Sequence, residues 1–398
     1  MIRGSRTVLE RPPTGPCRLR PPYRRTLLVA LALCATGLAA ACSPGSEDPP
    51  AGQRVEIVAG GGTPAGASID GELKDFAVDS AGAVHVLTAT GGGLTMWTLQ
   101  GGSLGHVAVD LDPRGVAQVA AAPDGSVYVA SKSIREGLWK VGADGGTTRI
   151  APGPVTGVAV SPSGQVYFAE SHPSPDDFQL VRTIDGGTIR TVFGRDLTHL
   201  KPRDWADASV TTGFPAGTKA TDLALDDTQA HLAVGKSGEV YAVTGEHRAV
   251  YANSQGVAVE LASSGGSGLG SASTPFAKRG SAGEADFLLT DGLAGPSITT
   301  DPKTGDVYVL DLLRKQGEPR AFNWSGDYTS RQKDLIDSRD YGHSTYAAIQ
   351  RIDPSGALST AAYGAVAAAV NGDWLYLATR TANGNSPQVL IARTPIPR

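Results

Sequence analysis

The fold of this chain is decided by a stretch that reads Thr156-Gly157-Val158-Ala159-Val160-Ser161-Pro162-Ser163-Gly164-Gln165-Val166-Tyr167-Phe168-Ala169. Two runs rich in β-branched and aromatic residues flank a Ser-Pro-Ser-Gly turn, and this pattern predicts a strand, a tight turn and a second strand. Similar stretches recur along the chain. Their first strands are expected near Phe76, Val119, Val158, Leu223, Ile298 and Val366.

The spacing of these stretches indicates the architecture. The turn glycines Gly82, Gly125 and Gly164 lie 43 and 39 residues apart. A second type of turn recurs in the same units, at Gln100-Gly101-Gly102, Asp144-Gly145-Gly146, Asp185-Gly186-Gly187 and Asp353-Pro354-Ser355-Gly356. A period near 40 residues with four short strands in each unit is typical of a β-propeller blade. The sequence therefore predicts an all-β protein with six blades in one ring.

The N-terminus is expected to close this ring. Residues Val55–Ala59 have the pattern of a strand but belong to no preceding unit, and the final unit ends with its third strand at Val389–Ala392. We expect the N-terminal strand to complete the last blade, because this pairing removes the exposed edge that three strands would leave.

The units also resemble a known family. Residues Gly157–Ala169 are similar to the core of the NHL repeat of six-bladed propellers, and Arg54–Gly62 resembles the closing strand and glycine-rich exit of that family. The resemblance covers residues 54–398, although the Asp that often follows the second strand is retained only at Leu310-Asp311 and approximated at Ala169-Glu170. It implies a protein that binds proteins, peptides or other ligands, with enzymes as a minority, and its motifs carry no catalytic residue.

The first 41 residues have the pattern of an export signal. Seven arginines precede the apolar run Leu27–Ala41, which is followed by Cys42. This arrangement resembles a bacterial lipobox and predicts cleavage before Cys42 and lipidation of that residue, with secretion as the alternative. Tyr23–Leu28 resembles a twin-arginine motif, so the export route stays open. Residues 42–53 are expected to form a flexible tether, and residues 54–398 the propeller.

Charge limits the class of partner. Removal of residues 1–41, with their seven arginines and one glutamate, changes the formal net charge from −4 to −10. An acidic protein without a basic patch is not expected to bind nucleic acid. We therefore predict a monomer on the outer face of the cytoplasmic membrane that binds a protein, peptide or glycan.

Long insertions indicate one face of the ring as the binding surface. In a blade of four antiparallel strands, the loop between strands two and three lies on the same face as the link to the next blade; we call it the long-loop face, and the opposite one the turn face. All three long insertions, 194–220, 253–296 and 312–345, are expected on the long-loop face. Within the second, Gly256–Glu260 is either an extra strand or the remnant of a seventh blade.

The third insertion contains aromatic residues mixed with arginine, a composition typical of binding hot spots. We define the predicted binding rim by four of its residues, Arg314, Trp324, Tyr328 and Arg331. The alternative is that Trp324 and Tyr328 pin the loop to the propeller.

The central channel offers a second candidate site. Asp75 and Asp222 are expected just before the first inward residue of blades one and four, which face each other across the ring, and Gln118 and Ser297 at the corresponding positions of two other blades. Opposed carboxylates at this channel mouth would suit a hard cation or a substrate hydroxyl, unless they cap turns.

Turn chemistry accounts for a further repeated carboxylate. Asp79, Asp226 and Asp301 lie in the turns between the first and second strands, where Asp often bonds the backbone two residues on. The sequence contains no His-x-x-x-His pair.

These observations favour a binding protein that is not an enzyme and needs no cofactor. The alternative is a hydrolase or lyase of the lactonase type, which would need a divalent cation at the channel mouth.

Overall fold

The computed structural model describes most of the chain after the predicted tether. The described residues are 53–61, 68–172, 178–197, 214–225, 230–244, 250–262, 280–281, 297–314, 324–337, 345–381 and 387–396. Cys42 and the rest of residues 1–52 lie outside them, as does Asp226. None of the helices in the described part is long and apolar enough to cross a membrane.

The chain folds as a six-bladed β-propeller, as the period predicts. Three short strands precede the first complete blade: β1 (Gln53–Arg54), β2 (Glu56–Ala59) and β3 (Ile69–Asp70). Blade one contains β4 (Glu72–Val78), β5 (Val84–Thr90), β6 (Gly93–Gln100) and β7 (Ser103–Val109). Blade two contains β8 (Val116–Ala121), β9 (Val127–Ser131), β10 (Gly137–Val141) and β11 (Thr147–Ala151). Blade three contains β12 (Val155–Val160), β13 (Val166–His172), β14 (Phe178–Asp185) and β15 (Thr188–Phe193).

The second half of the ring is less regular because the insertions lie there. Blade four contains β16 (Ala230–Val234), β17 (Val240–Thr244), β18 (Val250–Ser254) and β19 (Val257–Ala262). Blade five contains β21 (Ile298–Thr300), β22 (Val307–Arg314), β24 (Thr345–Ile352) and β25 (Ala357–Tyr363), and β20 (Gly280–Ser281) pairs with its outer edge. Its insertion forms β23 (Trp324–Ser325) and the helix α1 (Ser330–Asp337). Blade six contains β26 (Ala367–Asn371), β27 (Trp374–Arg380) and β28 (Gln388–Pro395).

The N-terminal strand closes the ring, as predicted. Strand β2 pairs antiparallel with β28, with Glu56 opposite Arg393 and Ala59 opposite Ile391. Strand β3 continues along the same edge and pairs Ile69 with Val389. The fourth strand of blade six therefore comes from the start of the propeller, and its pairing joins the two ends of the ring.

Blade four differs from the sequence prediction. Its innermost strand is Ala230–Val234, not the segment near Leu223, and its first turn is closed by the Gly235 amide donating to the Glu239 carbonyl at 2.8 Å. Leu223 is buried in the link that precedes the blade. The prediction was wrong because Asp226-Asp227 has the same composition as the turn that joins the first two strands of a blade.

Because blade four begins later than predicted, it also includes the segment Gly256–Glu260. Strand β19 is the ordinary fourth strand of blade four, with Ser254 and Val257 paired across the turn. It is neither an extra strand nor the remnant of a seventh blade, and the insertion before blade five begins after Ala262.

Small residues line the axis of the ring. The six inner strands place one small residue each at the same register position: Ala77, Ala120, Ala159, Ala233, Thr299 and Ala369. The strands converge there, so larger side chains lie farther out, between neighbouring blades, in clusters such as that of Phe168, Leu138 and Val155.

Candidate functional site

The six inner strands surround a channel cavity of about 430 Å³. At one end its lining includes Asp75, Gln118, His231 and Ser297, which lie just before the first inward position of their strands, and at the other end it reaches the first turns, including Pro123, Pro162 and Lys303. The register positions at the first end, from blade one to blade six, are Asp75, Gln118, Gly157, His231, Ser297 and Ala367.

Asp75 is the carboxyl group of this ring. It is 9% exposed, and its Oδ2 accepts a hydrogen bond from the amide of Val119 in blade two at 2.7 Å. Burial raises the pKa of Asp75 to about 7, against the lowering effect of the hydrogen bonds from the Val119 and Phe76 amides. The group therefore titrates near neutral pH and also joins blade one to blade two.

Gln118 joins three blades. Its Oε1 accepts hydrogen bonds from the amides of Val158 and Leu232 at 2.9 and 2.8 Å, and its Nε2 donates to the Leu232 carbonyl at 2.8 Å. Gly157 of blade three lies against blade four, where a Cβ atom would come within 2.3 Å of the Ala230 carbonyl oxygen. Glycine at position 157 is needed for this close approach.

The same kind of bond recurs around the ring. Ser297 Oγ accepts from the Ala368 amide at 3.1 Å, and Thr300 Oγ1 donates to the Val234 carbonyl at 2.7 Å. The inner strand of each blade has no partner strand on the side of the axis, so its backbone groups need other partners. Polar side chains near the channel mouth supply them, and their first role is structural.

The structure moves one predicted residue out of the channel mouth. Asp222 is exposed and belongs to the 3-10 helix Ala220–Asp222 in the link before blade four. The position opposite Asp75 is occupied by His231, which is 4% exposed. Sequence reasoning missed His231 because it placed the blade-four strand too early; the turn Gly235-Lys236-Ser237-Gly238 was the signal that identifies the correct register.

A cation site is not formed by this ring. Among the described residues, no group of three or more His, Cys, Asp or Glu side chains is arranged to hold a metal ion. Asp75 and His231 are the ring's titratable side chains, and the side-chain oxygens of Gln118 and Ser297 already accept backbone amides, whereas Ca²⁺ takes six to eight oxygen ligands. The residues present therefore do not fit the divalent cation that the lactonase-type alternative would need.

Trp324 of the predicted binding rim is a core residue. Its indole is 4% exposed, packs in a cluster with Val55 and Ile336, and donates from Nε1 to the Tyr363 carbonyl at 2.8 Å. Strand β23, which begins at Trp324, pairs in parallel with β1. The indole pins the insertion to the propeller and is not available as an exposed anchor for a partner.

The other residues of the predicted binding rim lie in different environments. Tyr328 is half-buried, and its hydroxyl donates to the Val55 carbonyl at 3.1 Å. Arg331 is exposed on α1. Arg314 ends β22, and its side chain lies outside the described part. The described part of the insertion thus packs on the closing strand, where β23 pairs with β1.

Its packing creates a groove, which we call the closure groove. The groove has a volume of about 1060 Å³. It is lined by residues from the closing strand, the blade-five insertion and blade six: Gln53, Arg54, Val55, Glu56, Ile57, Ser325, Gly326, Asp327, Tyr328, Thr329, Gln332, Trp374, Arg393, Thr394 and Pro395.

Ordered polar and aromatic side chains form one wall of the groove. The guanidinium of Arg393 lies 4.3 Å from the centre of the Trp374 ring and donates two hydrogen bonds of 3.0 Å to the Glu56 carboxylate. On the opposite wall, Gln332 Oε1 accepts from the Thr329 amide at 2.9 Å. Because these residues come from distant parts of the sequence, the spacing of motifs could not have identified the site.

The solved structures that are similar to this chain share little sequence with it. No protein-family model matches the chain, and no curated protein is similar to it in sequence. A protein of unknown function from Bacteroides thetaiotaomicron superposes with a TM-score of 0.48 at 14% identity, over 85% of this chain and 76% of its own. An auxiliary nutrient binding protein from the same organism superposes with a TM-score of 0.48 at 10% identity, over 85% and 75%. Regucalcin, a calcium-binding protein from Agrobacterium tumefaciens, gives 0.45 at 13% identity, over 88% and 99%.

Proposed function

We propose that this chain is an NHL-type propeller, anchored outside the cytoplasmic membrane by a lipid on Cys42, that binds a protein, peptide or glycan without catalysing its conversion. The observation that carries the proposal is the closure groove. It combines a large volume with aromatic rings, two arginines and several exposed polar groups, a composition suited to recognition.

The channel supports the same conclusion. Gln118 and Ser297 are engaged by the backbone of neighbouring blades, and one oxygen of Asp75 is engaged in the same way. A catalytic role for these groups would require them to leave bonds that join the ring, whereas binding at the closure groove leaves the ring intact.

The proposal of a lipid anchor rests on the position of Cys42 in the sequence. Cys42 comes directly after the apolar run and is the last cysteine in the sequence, eleven residues before the start of β1. A diacylated cysteine carries two chains, each contributing about 0.8 kcal/mol per buried CH₂, which is sufficient for stable attachment. The closure groove would then lie within a short tether of the membrane.

Cell fractionation tests the anchor. We expect Cys42→Ser to abolish incorporation of a labelled fatty acid and to release the protein from the membrane fraction. A variant that stays in the membrane, together with a wild type that takes up no label, would contradict the lipoprotein proposal.

Binding is tested on the chain that begins at residue 43, with a random peptide display library and an oligosaccharide array as probes. Arg54 and Asp327 are exposed and line the groove, so the pair Arg54→Glu and Asp327→Arg should abolish binding without unfolding the protein. The control pair reverses Asp144 and Asp185, which are exposed on the turn face. Loss of binding with the control pair alone would place the site on the turn face.

A second candidate function rests on Asp75 and His231, which occupy corresponding register positions in blades one and four and both line the channel cavity. A carboxyl group with a pKa of about 7 is suited to general acid or base catalysis. Hydrolysis of a lactone panel by the wild type, lost in both Asp75→Asn and His231→Asn, would establish this function in place of the first. If the wild type hydrolyses the lactones no faster than the two variants do, the binding function is the better supported of the two candidates.

A further inference from the structure

We infer that the ligand of the closure groove is a neutral oligosaccharide, a conclusion that rests on the proposed binding function and names its ligand class. Sugar rings present apolar C–H faces and many hydroxyl groups, so a site for them needs aromatic surface next to planar polar side chains. The groove brings both kinds of group together.

The aromatic surface comes from two different parts of the chain. Tyr328 lies over Gly326, where a Cβ atom would come within 2.8 Å of the phenol ring, and its hydroxyl is fixed by Val55. Trp374 is half-buried in blade six, with the Arg393 guanidinium at 4.3 Å. Both rings are therefore held in place before a ligand arrives, which lowers the entropic cost of binding.

The polar lining is mixed in kind and balanced in charge. Glu56 and Asp327 oppose Arg54 and Arg393, so the four charged side chains sum to zero. Glu56 and Arg393 are also paired with each other through two hydrogen bonds. A groove of this kind does not favour a polyanion, and its carboxylates and guanidinium groups suit hydroxyl groups, which both donate and accept hydrogen bonds.

The volume and location fit a short chain of sugars. A site of about 1060 Å³ is at the upper end of small-ligand pockets, which span roughly 300–1,000 Å³. The groove exists only when the closing strand, the blade-five insertion and blade six are together, so ligand binding is linked to ring closure.

The test uses an array of defined neutral and acidic oligosaccharides, probed with the chain that begins at residue 43. We expect binding to neutral oligosaccharides, followed by affinity measurement for the best of them. Trp374→Ala should weaken this affinity by tenfold or more, and Asp327→Ala, an exposed and structurally safe change, by at least threefold.

Trp139→Ala is the matched control. Trp139 is also half-buried and lies 6.0 Å from the guanidinium of Arg149, but it belongs to blade two and does not line the groove. Its substitution should leave the affinity unchanged. Equal losses in the Trp139 and Trp374 variants, with Asp327→Ala unaffected, would overturn the assignment of the groove.

The remaining outcomes separate the ligand class from the proposed function. Binding of acidic oligosaccharides only would overturn the neutral-sugar inference while the binding function stands. Binding of display-library peptides that is weakened by Asp327→Ala would have the same consequence. Failure of both probes would count against both. Removal of residues 43–52 should not change the affinity; a gain of more than tenfold would show that the chain's own tether occupies the groove and would overturn the inference.

Discussion

Replacement of Trp324 distinguishes a core residue from a binding residue. In the structure the indole is 4% exposed, packs between the closing strand and α1, and donates to the Tyr363 carbonyl at 2.8 Å. Truncation of a buried tryptophan to alanine costs about 3–5 kcal/mol, because apolar contacts are lost and a cavity remains. The Tyr363 carbonyl also loses its donor, which by itself costs about 1–3 kcal/mol when the group stays buried.

We therefore expect Trp324→Ala to lower the free energy of unfolding by at least 3 kcal/mol, within the range of about 3–5 kcal/mol for such truncations. Trp324→Phe keeps most of the apolar contact but not the hydrogen bond, so its loss should be about 1–3 kcal/mol. The assay is urea unfolding followed by circular dichroism. Arg331→Ala on the exposed side of α1 is the control and should change stability by less than about 0.5 kcal/mol.

The result that would refute this reasoning is a Trp324→Ala protein as stable as the wild type that has lost partner binding. It would mean that the indole is a surface anchor and that its burial does not contribute to closure. Equal destabilisation by Arg331→Ala would also contradict the argument, because that side chain has no buried contact to lose.

Two further predictions concern the ring. Deletion of residues 43–61 removes the fourth strand of blade six, so the protein should lose much of its stability and bind ANS; a truncation that melts like the wild type would show that closure does not depend on β2. Between pH 4 and pH 7 the native state holds the Asp75 proton more tightly than the unfolded state, because burial raises its pKa from 3.8 to about 7. Stability should therefore fall as pH rises through this window, by up to about 4 kcal/mol, and no further above it. Asp75→Asn should remove this fall, whereas Asp222→Asn, at an exposed position, should keep it; equal pH profiles for wild type and Asp75→Asn would show that the burial of Asp75 does not control the dependence.

Polar side chains at the channel stabilise the ring and fix the arrangement of its blades. Gln118 and Asp75 use their side chains to satisfy backbone amides that six converging strands leave without partner strands. Such bonds fix the position of one blade relative to the next near the axis, where the row of alanines leaves little apolar surface for packing. This structural role accounts for the polar residues Asp75 and Gln118 at the channel.

The repeated strands and turns of the propeller could be predicted from local sequence patterns. The strand-turn-strand pattern around Gly164 repeats with a nearly constant period, and each Asp-Gly-Gly or Gln-Gly-Gly turn supplies the positive φ that a hairpin requires, as at Gly186 (φ 55°) and Gly187 (φ 84°). Asp79 caps its turn as predicted, accepting from the Ala81 and Ala83 amides. The unpaired N-terminal strand could be matched with the incomplete last blade by counting strands alone.

What the sequence determined by itself was therefore the repeating blade, its turns and the closure of the ring, because each depends on contacts between residues close in sequence or on a count of strands. Only the tertiary structure decided that Ala230–Val234 is the inner strand of blade four, that His231 takes the register position of blade four that corresponds to Asp75 in blade one, and that the blade-five insertion folds onto the closing strand. A loop of this length can reach several surfaces with similar local geometry. Its position is chosen by contacts with residues such as Val55, more than 260 positions away, and the closure groove exists only after that choice has been made.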